Sequence, residues 1–196
     1  MPVNEKNNYL KKLLNHLEFT EKDSIWVKNY LNGAYLQADF INETLIYPTS
    51  QGLKVNGDFT TNFSANENFV VFECVDRLFT KGYKPEHIEL EPKWKLGHGA
   101  SGGRADIFVR DQDNKPLLII ECKTAGKEFD RSWKKTLEDG DQLFSYIEQE
   151  KDVKFVCLYS SEFDLKNNEL SLYHKVISHK DNLKILEDYS NLSGFS

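Results

Sequence analysis

The stretch RADIFVRDQDNKPLLIIECK, residues 104–123, governs the fold that we expect for this chain. It contains two runs rich in strand-forming residues, 104–110 and 117–123, and between them a cluster of turn formers, 111–116. This pattern predicts a β-hairpin. Ionisable side chains lie at the end of the hairpin opposite its turn.

Helix and strand patterns alternate on both sides of this hairpin. Residues 64–67, Ser-Ala-Asn-Glu, match a capping box, and the apolar run after them predicts a helix over 65–81 with Gly82 as its C-terminal cap. Further patterns predict strands at 88–94, 153–159 and 170–173, a polar helix at 132–150 interrupted at Gly140, and a helix near 182–189. This order predicts an α/β fold in which a mixed β-sheet is flanked by helices.

The first 45 residues have a different pattern. Leucines at helical spacing predict one helix: Leu10, Leu13, Leu14 and Leu17. A second helix is predicted after Thr20, ending at Gly33, with an apolar side made of Ile25, Trp26, Tyr30 and Leu31. Pro, Gly, Asn and Thr in 47–63 favour short strands and turns. We therefore expect an N-terminal helical extension over 1–45 and one domain over 46–196, with its core at about 64–160.

Composition limits the class of protein. The chain has 196 residues, of which 39% are hydrophobic and 13% aromatic, which indicates one soluble domain with an extension and excludes intrinsic disorder. No run approaches the roughly 18–20 apolar residues of a membrane helix, and the polar N-terminus does not resemble a signal peptide, so we expect a cytoplasmic protein. The three cysteines, Cys74, Cys122 and Cys157, lack CxxC spacing and are expected to be reduced and buried.

The formal net charge of -6 argues against a free-standing, tight nucleic-acid binder, which usually has a basic surface. It does not exclude a nuclease whose carboxylates bind metal and whose main contacts to DNA lie in another domain.

Two acids and a lysine are predicted to meet at the open end of the hairpin. Because side chains alternate along a strand, Glu121 and Lys123 share a face, and the partner strand brings Asp106 beside Glu121. Paired carboxylates are hard oxygen ligands for Mg²⁺, and the backbone carbonyl of Cys122 is a natural third protein ligand. A nearby ammonium could orient or help deprotonate a water, so the pattern indicates phosphodiester hydrolysis with Mg²⁺, or with Mn²⁺ in its place.

The acid-any-Lys triplet alone is weak evidence, because the chain contains five of them. The other four are Glu91-Pro-Lys93, Asp113-Asn-Lys115, Asp152-Val-Lys154 and Asp164-Leu-Lys166. Only Glu121 completes an apolar strand with an acidic hairpin partner. The alternative for these residues is a structural ion pair at the end of the sheet.

Asp106, Glu121-Cys-Lys123 and Gln142-Leu-Phe-Ser-Tyr146 together resemble the PD-(D/E)xK nuclease superfamily, in the branch of type I restriction enzyme endonuclease domains and RecB-like nucleases. The resemblance covers about residues 64–160 and implies a restriction-endonuclease-like core. Ala105 stands where the motif name has Pro, a position that varies in the superfamily.

The resemblance also implies roles for residues outside the hairpin. A helix-borne glutamate that contacts the metal corresponds to Glu67, with Glu73 as the reserve. Glu67 could instead serve only the capping box, and Glu73 could be a solvated helix position. The QxxxY motif, Gln142 and Tyr146, implies contacts to the DNA backbone or support for Lys123; two polar positions on an amphipathic helix are the alternative.

The glycine-rich stretch 97–104 could hold a phosphate through backbone N–H groups, His98 and Arg104, or it could be a flexible turn. His98 could act as a general base, although a loop histidine is more often a bystander.

Together these features imply an Mg²⁺-dependent DNA endonuclease domain of a bacterial restriction-modification protein, acting on double-stranded DNA. We expect the chain to be an N-terminal piece of a longer polypeptide or complex with methyltransferase, specificity or helicase parts, and no membrane contact. One alternative is a catalytically silent module that docks nucleic acid or a partner, and another is a structural adaptor that uses 1–45 for subunit contacts.

Overall fold

The computed structural model describes residues 3–93, 104–139, 143, 145–147 and 150–180. The chain begins with a helix, α1, and a small antiparallel sheet. Their bounds are α1 (Val3–His16), β1 (Thr20–Lys22), β2 (Ile25–Asn29), β3 (Tyr35–Asp39) and β4 (Thr44–Ile46). The four strands lie in the order β1-β2-β3-β4.

The predicted second helix of the N-terminal extension is wrong, because residues 25–29 form a strand. Asp23 and Ser24 adopt positive φ angles of 53° and 65°, which reverse the chain between β1 and β2 and would interrupt a helix at its start. In β2 the indole of Trp26 is buried between half-buried neighbours, which is the alternation of a strand. Aromatic and β-branched residues favour this extended form. The extension is therefore helical only at α1.

The rest of the described chain builds a six-stranded sheet and two helices. Their bounds are β5 (Lys54–Val55), α2 (Asn66–Thr80), β6 (Ile88–Leu90), β7 (Ile107–Arg110), β8 (Pro116–Cys122), α3 (Lys127–Asp139), β9 (Phe155–Asp164) and β10 (Glu169–Ser178). The strands lie in the order β10-β9-β8-β7-β6-β5. The pairs β5/β6 and β8/β9 are parallel and the others are antiparallel, so the predicted mixed sheet of an α/β fold is confirmed.

The predicted hairpin is formed by β7 and β8, with Ile107 opposite Ile120 and a bulge between Val109 and Arg110. Strands β9 and β10 extend further than predicted, whereas β6 ends at Leu90. Helix α3 begins at Lys127 rather than at residue 132, and positions 143 and 145–147 are helical as well. The predicted break at Gly140, the end of the 88–94 strand at Trp94 and the helix at 182–189 lie outside the described residues.

Helix α2 confirms the predicted helix but not its capping box. The N-cap is Ala65, which has no side chain able to cap, and Ser64 lies one residue outside the helix. At the other end Gly82 has a φ of +92°, a conformation that glycine adopts without strain and that ends the helix as predicted.

Helix α2 lies between the main sheet and the N-terminal elements. The rings of Phe19 and Tyr47 pack on Phe72, and Tyr9 of α1 packs on both Phe69 and Phe163. A second apolar cluster lies on the other face of the sheet and contains residues of α3, residues near 146 and the outer sides of β7–β9. The sheet is thus covered by apolar packing on both faces.

Two general predictions can be compared with the structure. Cys74, Cys122 and Cys157 are buried and free, as expected. Within the described ranges, no helix has both the length and the apolar character needed to cross a bilayer.

Candidate active site

The end of the β7–β8 hairpin opposite its turn carries the predicted acid pair. Because Ile107 and Ile120 are directly opposite, Asp106 and Glu121 are the next residues of their strands at the same end of the sheet. Asp106 accepts a 2.6 Å hydrogen bond at Oδ2 from the backbone N–H of Cys122. The structure thus brings the two acids together, while their role as metal ligands stays a prediction.

Lys123 connects two of the acids. Its Nζ lies 2.6 Å from Oε1 of Glu121 and 3.5 Å from Oε1 of Glu67, which belongs to the first turn of α2. The contact with Glu121 confirms that these two side chains share a face. Since no side chain caps α2, Glu67 is not part of a capping box, and its observed partner is the amine of the site.

Exposure decreases from the rim of this cluster to its floor. The side chain of Glu67 is 33% exposed, that of Lys123 20% and that of Glu121 4%, and Asp106 is half-buried. In the described structure Glu67 and Lys123 are therefore partly exposed to solvent, whereas the side chain of Glu121 is almost fully buried.

The charges of the cluster are not balanced. Burial, and then the charge of Glu121, raise the pKa of Asp106 well above its ordinary value of 3.8, although the N–H of Cys122 opposes the change. Burial also raises the pKa of Glu67, and Lys123 offsets this only in part. For Lys123 itself, burial alone would lower the pKa, but the Glu121 carboxylate outweighs it and the net pKa is raised. The amine therefore stays protonated at neutral pH.

This imbalance fits a divalent cation. Among the described residues of the cluster, the three acids, when all are ionised, leave an excess of two negative charges over the ammonium of Lys123. The donors are carboxylate oxygens, which Mg²⁺ and Mn²⁺ prefer. A cation held by Asp106 and Glu121 would remove the repulsion that raises the pKa of Asp106.

Tyr146 supports the floor of the site. Its hydroxyl lies 2.9 Å from Oε2 of Glu121 and 2.9 Å from the backbone oxygen of Arg104, and its single proton is donated to one of these acceptors at a time. Its side chain is fully buried, and direct contact with the DNA backbone, one of the two roles predicted for Gln142 and Tyr146, stays a prediction. The second predicted role was support for Lys123, but the hydroxyl instead contacts Glu121, the partner of that lysine.

Arg104 lies two residues before Asp106 and is held on two sides. Its Nη1 is 3.3 Å from Oε2 of Glu91, and its guanidinium carbon is 3.8 Å from the ring centre of Phe59. The side chain is 35% exposed, so part of the guanidinium faces solvent. Phosphate contact by Arg104 stays a prediction.

Glu91 is a site residue that the sequence analysis missed. Its buried Oε1 accepts hydrogen bonds from the N–H and the hydroxyl of Thr60, at 2.7 and 2.9 Å, and its own N–H donates to the backbone oxygen of Asp106 at 2.9 Å. The residue belongs to an acid-any-Lys triplet just after β6, and no pattern in the chain marks it as a partner of Arg104.

Glu73, the reserve for the helix-borne acid, lies elsewhere. It is fully buried and accepts hydrogen bonds from Arg77 at 2.7 Å and from the hydroxyl of Tyr159 at 2.6 Å, so a solvated position is wrong. Of the two glutamates, only Glu67 contacts Lys123. The predicted roles of His98 and Gln142 fall outside the described residues.

Comparison with protein families gives a match over about half of the chain. The family model of the type I restriction enzyme R protein N terminus (HSDR_N) matches residues 67–166, slightly more than half of the chain. The matched range begins at Glu67 and includes Asp106, Glu121, Lys123 and Tyr146. A search of curated proteins finds no match. The chain therefore belongs to the family of type I restriction enzyme R protein N-terminal regions, which associates it with restriction-modification.

Proposed function

We propose that this chain is an Mg²⁺-dependent DNA endonuclease domain of the PD-(D/E)xK type. The observation that carries the proposal is the meeting of Asp106, Glu121 and Lys123 at the open end of one hairpin, with Glu67 of α2 at the same amine. Membership in the R protein family supports a role in restriction of double-stranded DNA.

In this proposal Asp106, Glu121 and the backbone carbonyl of Cys122 hold the cation. When bound, Mg²⁺ would polarise the phosphoryl oxygen and lower the pKa of a water. Asp106 is kept in place by the N–H of Cys122, and Glu121 by the hydroxyl of Tyr146, so both carboxylates are oriented before any ligand arrives.

Lys123 acts as a hydrogen-bond donor. Because its pKa is raised, the ammonium does not serve as a general base at neutral pH; it orients the attacking water and stabilises negative charge on the phosphate. Its present contact with Oε1 of Glu121 must loosen when that oxygen takes another partner. Glu67 keeps the amine near the site during this exchange.

Plasmid nicking in Mg²⁺ tests this function. We expect Glu121→Gln and Lys123→Ala to abolish Mg²⁺-dependent nicking, a loss of roughly a thousandfold or more, because they remove a metal ligand and the donor to the phosphate. The matched controls are Glu89→Gln, which removes a strand glutamate paired with Arg110, and Lys154→Ala, which removes a lysine paired with Asp111. Nicking that survives at Glu121→Gln, in protein with unchanged thermal unfolding, would contradict the proposal.

The second candidate is a catalytically silent module for nucleic acid or a partner. It is favoured by the finding that, within the described ranges, no three His, Cys, Asp or Glu side chains already surround one metal position. It is also favoured by Glu121 itself, whose two oxygens contact Lys123 and Tyr146.

Calorimetric titration of Mg²⁺ and of Mn²⁺ separates the two candidates. The nuclease requires binding heat in the wild type that is lost in Asp106→Ala, whereas the silent module gives no such heat in either protein.

A further inference from the structure

Two arginines of the hairpin are held in the same manner at its two ends. Arg104, before β7, is paired with Glu91 at 3.3 Å and stacked 3.8 Å from the ring centre of Phe59. Arg110, at the end of β7 next to the turn, is paired with Glu89 at 3.3 Å and stacked 4.4 Å from the ring centre of Phe108. Arg110 is therefore an internal reference for Arg104.

The acid behind Arg104 is much more firmly fixed than the acid behind Arg110. Glu91 is 1% exposed, against 19% for Glu89. Thr60 donates twice to Oε1 of Glu91, and a Cβ at Gly57 would lie 2.0 Å from Oε2, so the carboxylate occupies space that only glycine leaves. No hydrogen bond reaches Oε2 in the described part of the chain, which leaves the guanidinium of Arg104 to compensate it.

The geometry fixes the orientation of Arg104. Its guanidinium lies between the buried carboxylate and Phe59, a ring that is 60% exposed, and its main-chain oxygen is contacted by Tyr146. A guanidinium has five donors in a planar fork, so donors are left for a second acceptor after the contact with Glu91. A preorganised fork of this kind suits a phosphate.

The position of Arg104 also suits a phosphate backbone. Arg104 and Glu91 flank the site on the side of β6 and β7. On the other side, next to β9 and β10, a groove of about 700 Å³ is lined by Glu162, Asp164 and Glu169 together with Lys166. The charged residues of that lining are three acids and one lysine, a net negative charge that disfavours DNA, so the approach along Arg104 is electrostatically better.

We propose that Glu91 is a positioning residue which fixes Arg104 as a contact for a DNA backbone phosphate beside Asp106. The inference rests on the proposed function only in taking DNA as the ligand. It requires binding and does not require cleavage.

Fluorescence anisotropy of a labelled duplex, in EDTA and over a series of salt concentrations, tests the arginine. We expect Arg104→Gln to weaken binding roughly three- to tenfold and to lower the slope of log K against log salt by about 0.9, the loss of one phosphate contact. Arg110→Gln removes the same charge from the same hairpin, and we expect it to leave the slope unchanged.

Glu91→Gln tests the positioning role. It keeps an acceptor for Thr60 but removes the ionic contact with Arg104. If only net charge mattered, removing an acid would tighten DNA binding. A positioning role for Glu91 predicts weaker binding instead. It also predicts that the double variant Glu91→Gln/Arg104→Gln binds DNA no more weakly than Arg104→Gln alone. Phe59→Leu, at an exposed side chain that leaves the core intact, should weaken binding about twofold through lost stacking.

Three results would overturn the inference: equal affinity of wild type and Arg104→Gln, including no measurable binding by either; tighter or unchanged binding by Glu91→Gln; or additive effects in the double variant. The proposed nuclease is tested separately by nicking. DNA affinity that is unchanged in Arg104→Gln, together with nicking that is lost in Glu121→Gln, would contradict the inference alone. DNA binding that responds as expected, without any nicking by the wild type, would contradict the nuclease alone.

Discussion

Two groups of acidic side chains near β8 and β9 are balanced in different ways. Glu73 is fully buried, yet Arg77 and the hydroxyl of Tyr159 both donate to it, and these two partners also contact each other at 3.1 Å. Asp106 and Glu121 share a site with one ammonium, that of Lys123. The first group is a closed network that stabilises the fold. In the second, the described residues leave a buried carboxylate pair incompletely compensated below a partly exposed rim formed by Glu67 and Lys123, an arrangement that favours a ligand over stability.

The largest effect on stability is expected at the network of Glu73, Arg77 and Tyr159. Glu73→Gln removes the charge opposite Arg77, and we expect the free energy of unfolding to fall by about 3 kcal/mol, at the low end for a broken buried pair because Arg77 is partly exposed. Chemical denaturation measures this. The control, Glu89→Gln, breaks a more exposed pair and should cost less than about 1 kcal/mol. Equal losses in the two variants would contradict the contrast.

Added metal should stabilise the folded chain by binding at Asp106 and Glu121, and not at the network around Glu73. At a Mg²⁺ concentration about a hundred times its dissociation constant, the free energy of unfolding of the wild type should rise by about 2.7 kcal/mol, because the cation binds the folded chain alone. Thermal unfolding with and without Mg²⁺ measures the change. Asp106→Asn should lose it and Glu73→Gln should retain it; stabilisation that persists in Asp106→Asn would place the metal elsewhere.

Neutralising Asp106 should stabilise the metal-free chain, the opposite sign to Glu73→Gln. Asp106→Asn keeps an acceptor for the N–H of Cys122 and removes the repulsion with Glu121, so we expect a gain of roughly 0.5–2 kcal/mol in EDTA. Chemical denaturation at several pH values measures the sign of this change in the free energy of unfolding. Because the pKa of Asp106 is raised in the folded state, the wild type loses stability as the pH rises above about 3.8. The advantage of the variant should therefore shrink as the pH is lowered from 7 towards 4, and an advantage independent of pH would rule out this cause.

The smallest effect on stability is expected from the hydroxyl of Tyr146, which contacts Glu121. Tyr146→Phe keeps the buried ring and removes only the hydroxyl, so we expect a loss of about 1 kcal/mol in unfolding free energy, together with weaker metal binding. Calorimetry and denaturation measure the two changes. Tyr30→Phe, which removes a phenol hydroxyl that donates to the carboxylate of Asp76, is the control for stability and should leave metal binding unchanged.

The hairpin could be predicted from the sequence because its information is local. Period-two alternation places Glu121 and Lys123 on one face, and the turn formers at 111–116 set the pairing that brings Asp106 to the same end. The helix over 66–80 could be predicted equally well from its apolar run. Its N-cap could not, because Ser64 lies one residue before the observed N-cap, Ala65.

Long-range partners could not be predicted in this way. Glu91 and Glu73 look like ordinary acids in the sequence, and only the folded chain shows that each is buried against an arginine. The prediction of the second N-terminal helix was wrong for a related reason. Ile25, Trp26 and Tyr30 satisfy helical spacing, but the chain reversal at Asp23 and Ser24 places Ile25 and Trp26 in a strand.

The packing of α2 has a practical consequence for trimming this protein. The family match starts at residue 67, inside the first turn of the helix, so a fragment cut there would remove the start of α2 together with α1 and the small sheet that cover Phe69 and Phe72. Such a fragment would expose these rings to water and would place Glu67, the acid that contacts Lys123, at its first residue. A minimal expression product must therefore begin at the start of α1, well upstream of the boundary that sequence similarity marks.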